Sequence, residues 1–149
     1  MHKQLTLLFL YLGALLLLGS CRRAGDDPEP TGKLLGTRWM LVQIDAFPIT
    51  LSSYYEDNQS YIHFATSGQR ATGLAACDVL SGQFTLSAST RQLTVSQLTL
   101  TKGGCTSPVV GPRYLATLPQ TSRYEISGDM LRLYDAQTAQ PRLIFQAAP

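Results

Sequence analysis

At 149 residues, 44% hydrophobic and 15% charged, the chain has the composition of one globular domain of ordinary size. Its 12 Lys and Arg face 10 Asp and Glu, and loss of a leader carrying Lys3 would leave the two signs nearly balanced, which argues against a nucleic-acid footprint of clustered basic residues. With Cys 3 and His 2, one of them His2 in the leader, there are too few ligands for a Cys/His metal centre, and no metal or cofactor is expected.

The chain opens with Met1-His2-Lys3 and a charge-free run, Leu5–Leu18 (LTLLFLYLGALLLL). A run of about 14 residues has the length of a secretory h-region and falls short of the roughly 20 apolar residues that span a bilayer. Leu18-Gly19-Ser20-Cys21 then matches the bacterial lipobox: an aliphatic residue, two small residues and a cysteine whose thiol accepts diacylglycerol before cleavage. Residues 1–20 are therefore expected to be a lipoprotein signal peptide and Cys21 the acylated first residue of a membrane-anchored chain. Arg22–Thr31 (RRAGDDPEPT) has no apolar residues to bury and completes a flexible tether over 21–33. Arg22 is not the Asp that favours inner-membrane retention, so the expected location is the bacterial envelope, with the outer membrane as the expected site.

From Leu34 onward, short β-like runs alternate with Gly, Ser, Asn and Pro. Leu35–Asp45 reads as a strand covered on both sides, with Trp39, Leu41 and Gln43 on one face and Trp39 as a core anchor. Phe47–Ser60 reads as a loop with room for a short strand, and its Tyr54 and Tyr55, beside Glu56-Asp57, are candidate interaction residues. Tyr61–Thr66 alternates, with Ile62 and Phe64 on the buried face. Arg70–Cys77 leads into a turn ending at Ser81-Gly82. Its Ala71, Gly73, Ala75 and Ala76 either leave a cavity or let strands pack closely. Gly82–Ser87 and Arg91–Thr101 form a hairpin across Ala88-Ser89-Thr90, and a phase slip that points Leu98 and Leu100 inward together predicts a bulge. Pro108–Gln120 is the one helical candidate, with Pro112 in its first turn and Tyr114, Leu115 and Leu118 as its apolar stripe. Ser122–Ser127, Met130–Asp135 and Arg142–Ala147 close the chain as strands, the first two joined at Gly128-Asp129. Seven or eight strands and one helix make a mainly β fold: a curved antiparallel sheet or partly open β-barrel with a helix packed on it.

Leu35-Gly36-Thr37-Arg38-Trp39, Gly73…Cys77 followed by Ser81-Gly82, a second cysteine after a Thr-rich strand, a helix, Tyr124–Asp129 and Leu131-Arg132-Leu133 follow one another in an order that resembles the META domain, also called HslJ-like. The resemblance spans 34–147. It implies a bacterial secreted protein or lipoprotein of a family associated with heat-shock induction, novobiocin resistance and motility, without an assigned biochemical activity. It also implies a cysteine pair, here Cys77 and Cys105, in keeping with the two cysteines that remain beside Cys21 and with an oxidising compartment. The chain departs from the family pattern at Asp78, where Asn is usual, and at Gly111-Pro112-Arg113, where an acidic residue usually precedes the aromatic-Leu pair.

A catalytic site would recruit His63, Asp78 and Ser81, or Glu56-Asp57. No Gly-x-Ser-x-Gly, His-Glu-x-x-His or phosphate loop occurs, so no enzyme activity and no catalytic residue is expected. Asp78 is expected to cap backbone at a turn and is kept as a third candidate interaction residue. Two functions remain open for an expected monomer: an envelope interaction or stress-tolerance module meeting a partner protein, and a binder of a lipid or other apolar small molecule in a barrel cavity, by analogy with small pilotin lipoproteins.

Overall fold

The computed structural model describes residues 34–49, 60–103 and 110–149. The readings made for residues 1–33, for Tyr54, Tyr55 and Glu56-Asp57, and for Cys105 lie outside those ranges. Among the described residues nine strands form one antiparallel sheet: β1 (Arg38–Ile44), β2 (Phe47–Pro48), β3 (Tyr61–Phe64), β4 (Arg70–Ala75), β5 (Asp78–Ser87), β6 (Gln92–Thr101), β7 (Arg123–Ser127), β8 (Met130–Tyr134) and β9 (Leu143–Ala147). Each of β3 to β8 pairs with the next in sequence, β1 pairs with β2 and β3, and β9 returns to pair with β1. The sheet therefore curls back on itself. Its weakest join is between β6 and β7, where only Gln92 and Arg123 are in register, reinforced by Leu93 N–H to Ser122 O at 3.2 Å and Tyr124 N–H to Arg91 O at 3.0 Å.

Past that join the edge of β6 away from β5 has no described strand beside it, and the connection to β7 supplies the cover. It consists of α1 (Val110–Thr117) and a 3-10 turn, Leu118–Gln120. Pro112 and Pro119 both stand near the start of their helical segments, where a missing N–H costs least. The helix packs on β1 and β4, the 3-10 turn on β6. Tyr114 and Leu118 are fully buried, and Tyr114 meets Phe145 edge-on at 6.0 Å between ring centroids. Gly111 lies against the Ala75 carbonyl, where an added Cβ would sit at 3.3 Å, so a small residue lets helix and strand backbones approach.

Side chains occupy the interior of the curled sheet. Trp39, Leu41, Ile44, Ile62, Phe64, Leu80, Leu93, Leu131 and Phe145 are all essentially inaccessible, and the Trp39 indole N–H donates to Leu34 O at 3.0 Å. Full burial of one such side chain contributes about 1.5–3 kcal/mol. The small residues of β4 serve close packing: Ala71 and Ala75 are buried in this core, and Gly73 lies where any Cβ would strike the Tyr61 carbonyl.

Several sequence expectations are corrected. Ser81-Gly82 is not a turn but lies inside β5; the turn is Ala76-Cys77, with Ala76 at φ 59°. Gly82 is needed because β6 bulges opposite it: Ser81 pairs with Thr99 and Gln83 with Ser96, and an added Cβ at Gly82 would fall 2.8 Å from the Leu98 side chain. The predicted bulge is thus present, and Leu98 turns toward the core. Leu100, opposite the buried Leu80, shares its face but is left 47% exposed. In β1 a register shift between Leu41 and Gln43 puts Ile44, rather than Gln43, on the buried side with Trp39 and Leu41.

Candidate functional site

His63, Asp78 and Ser81, the described residues that a catalytic reading would recruit, do not converge. His63 and Ser81 lie on the outer face in one cross-strand row, His63 opposite Thr72 and Thr72 opposite Ser81. Two strand spacings of about 4.8 Å separate them, far beyond hydrogen-bond reach. The Ser81 hydroxyl is shared with Thr99 Oγ1 at 2.8 Å. Asp78 is opposite Ala75, whose side chain is in the core, so it belongs to the other face from Ser81. Its Oδ1 accepts the Gly103 N–H at 3.1 Å, so Asp78 does engage backbone as expected, but the donor lies 25 residues away instead of in the local turn. An added Cβ at Gly103 would lie 1.9 Å from the Cys77 carbonyl oxygen. The end of β6 is thereby pressed onto the turn that holds Cys77, which has a partner of its own.

The strongest ionic cluster is one that the sequence did not suggest. Arg142, just before β9, donates through Nε to Asp45 in the β1–β2 turn, and through Nη1 to Asp135 Oδ2 at 2.5 Å and to Gln120 Oε1 at 3.2 Å. Asp135 Oδ1 also accepts from Gln137 N at 3.0 Å, Thr138 N at 2.7 Å and Thr138 Oγ1 at 2.9 Å. Burial pushes the Asp135 carboxyl up, but the Arg142 guanidinium and the Thr138 and Gln137 donors outweigh it and hold it at about 2, below the usual 3.8. Hydrogen bonds from Arg142 to Asp45 and then to Asp135 raise the Arg142 pKa in turn.

A depressed carboxyl stabilises the fold above its unfolded value and loses that effect as pH falls through its folded one. The Asp135 contribution is therefore complete above about pH 4 and disappears on approach to pH 2. Carboxyl-carbon NMR should find Asp135 titrating near 2 in the native chain, and higher in Arg142→Met, where burial acts with less opposition. An Asp135 that titrates at the ordinary carboxylate value in the native chain would refute this account.

The outer face of β4, β5 and β6 carries an open groove of about 580 Å³. Its floor is Arg70, Ser81, Gln83, Gln97 and Thr99, and the β3–β4 turn, with Ser67 and Gly68, forms one wall. Register builds it: Arg70 pairs with Gln83, Gln83 with Ser96, and Ser81 with Thr99. Gln97 is the extra residue of the β6 bulge, at φ 52°, and Gln69 in the facing turn stands at φ 51°. Both are left-handed without glycine, a conformation held by its surroundings that recurs at functional sites. A second cleft of about 530 Å³ lies between Gln43, Asp45 and the Thr138–Arg142 loop, over the Arg142 cluster. Among the described residues no group of three His, Cys, Asp or Glu side chains is placed to hold a metal ion.

The META domain family matches residues 32–148 of the chain. Among solved structures, the chain is similar to an NMR structure of a protein from Burkholderia xenovorans, at 21% identity over 82% of this chain and 88% of that one, with a TM-score of 0.61. It is also similar to a crystal structure of a DUF4847 family protein from Bacteroides vulgatus, at 12% identity over 79% of this chain and 95% of that one, with a TM-score of 0.54. These two likenesses carry the fold and no more. Comparison with curated proteins finds no match. The family match covers the whole described sheet and its helix, and the chain belongs to the META domain family.

Proposed function

We propose that this META domain protein is a lipid-anchored module of the bacterial envelope that acts by binding a partner or ligand rather than by catalysis. The observation that carries the second half is the use made of its acids. Every side-chain carboxylate among the described residues is already an acceptor within the fold: Asp45 and Asp135 for Arg142, Asp78 for Gly103, Glu125 for Tyr134 and Asp129 for Gln146. A carboxylate serving as general base has to be poised toward a substrate, and carboxylates committed to structural donors are poorly placed for that work. The reading of an apolar ligand in a barrel cavity has less support, because Trp39, Tyr114, Phe64 and Phe145 fill the middle of the curled sheet.

Support for the anchor comes from the lipobox ending at Cys21 and from the polar tether that follows it. Expressed in a bacterium fed labelled palmitate, the native chain should carry label and sediment with the outer membrane, and Cys21→Ala should carry none. Equal labelling of the two, or a native chain found free in the periplasm, would end the anchored reading.

The clasp between the Ala76-Cys77 turn and the end of β6 belongs to the same proposal. Cys105 follows Gly103 by two residues, and Gly103 lies against Cys77, so a Cys77–Cys105 disulfide would close a contact the backbone already makes. Such a bond suits a chain exported to an oxidising compartment.

A further inference from the structure

We infer that the outer-face groove of β4, β5 and β6 is a binding site for a hydroxylated monocarboxylate of sugar-acid size. Among the described residues the Arg70 guanidinium makes no ion pair, and no acidic residue lines the groove around it. Arg38 carries the same face onward on β1, stacked on the Tyr61 ring at 3.9 Å, and adds a second cation to this side of the sheet. A planar guanidinium with five donors and no acceptor takes a carboxylate or phosphate through two parallel hydrogen bonds. The single cation among the described lining residues balances a monoanion better than a phosphate dianion.

The rest of the floor selects against a bare carboxylate. Gln83 and Gln97 bring amides that both donate and accept, and Ser81 and Thr99 bring a pair of hydroxyls, the pattern that hydroxyl groups satisfy and an alkyl chain does not. Among the described residues no aromatic ring lines the groove to stack a nucleobase. Its volume of about 580 Å³ lies within the range of about 300–1,000 Å³ usual for small-ligand sites. The β6 bulge is what brings Gln97 into play: the left-handed residue adds an amide to the outer face while Leu98 turns inward beneath Gly82. This inference goes beyond the anchored-module reading and does not depend on the anchor, since loss of palmitate labelling would end that reading and leave the groove unchanged.

Isothermal titration of the full chain in mild detergent tests it with four probes: glucuronate, glucose, acetate and inorganic phosphate. Glucuronate should bind saturably, and glucose, which lacks the charge, and acetate, which lacks the hydroxyls, should each bind at least about tenfold more weakly. Arg70→Gln should weaken glucuronate by about tenfold or more, and Gln83→Glu, which sets a carboxylate beside Arg70, should do the same. Both positions are exposed, and an unchanged circular dichroism spectrum would show that each variant folds. No saturation by glucuronate up to about 10 mM would overturn the inference, as would glucose, acetate or phosphate binding as well as glucuronate, or indifference to Arg70→Gln.

Discussion

Gly73→Ala should destabilise the domain by about 3 kcal/mol or more, a large effect for one added methyl group. Gly73 sits in β4 opposite Ile62 and Leu80, in the middle of a continuous ladder. An ideal Cβ there would lie 2.1 Å from the Tyr61 carbonyl oxygen and 3.1 Å from its carbon. The obstacle is backbone, which cannot rotate away as a flexible side chain can. The same carbonyl accepts the Tyr114 hydroxyl at 3.3 Å, the bond by which α1 is tied to β3. Burial, and Tyr61 after it, push the Tyr114 pKa upward, so the hydroxyl remains a donor at any pH the protein meets. Relief of the clash therefore has to move β3, and with it the anchor of the helix. Urea denaturation checks this, together with near-ultraviolet circular dichroism of the aromatic core. A Gly73→Ala chain within 1 kcal/mol of the native one, on the order of an ordinary surface substitution, would refute the close approach.

How far the sequence reveals this fold depends on the distance over which each feature is determined. Ile62 and Phe64 alternate with Tyr61 and His63, and they are buried as that pattern implies, because strand facing is a two-residue property. Gly128 stands at φ 62° in the β7–β8 turn, and Ala88–Thr90 joins β5 to β6, both as their local chemistry suggests. Ser81-Gly82 misleads for an instructive reason. The dipeptide is a turn signal, but here the glycine answers a bulge on a neighbouring strand some fifteen positions on, which no local window can see. Ala76, Gln69 and Gln97 take left-handed conformations with side chains that do not advertise them.

The candidate sites are less legible still. Arg142 and Asp45 are 97 residues apart in sequence and become partners only because β9 returns to β1. The groove likewise collects Arg70, Ser81, Gln83, Gln97 and Thr99 from three strands, and a one-residue change of register would send some of them to the core. No short motif announces such a surface. Asp78 was legible as a residue that engages backbone, and its usual Asn counterpart would do the same through its amide oxygen. Sequence periodicity had no means of naming Gly103 as the donor.

Loss of the proposed Cys77–Cys105 bond should have the second large effect. In the chain-entropy view, closing a loop of this length removes about 3–4 kcal/mol of freedom from the unfolded chain. Cys77→Ser with Cys105→Ser should then lower Tm by roughly 10–15 °C, and reducing agent should lower the native chain's Tm toward the same value. The comparison separates the bond from the contact beneath it. Gly103 against the Cys77 carbonyl, and its N–H on Asp78, survive when both sulfurs are replaced by hydroxyls. Asp78→Ala in the disulfide-free chain should therefore cost a further increment of about 1 kcal/mol, while in the bonded chain the covalent tie masks part of it. A larger Asp78 effect without the bond than with it identifies the two as one clasp with a covalent and a hydrogen-bonded half. Two free thiols in the exported native chain, counted by mass spectrometry after alkylation, would remove the covalent half and leave Asp78 holding the end of β6 to the turn by its hydrogen bond.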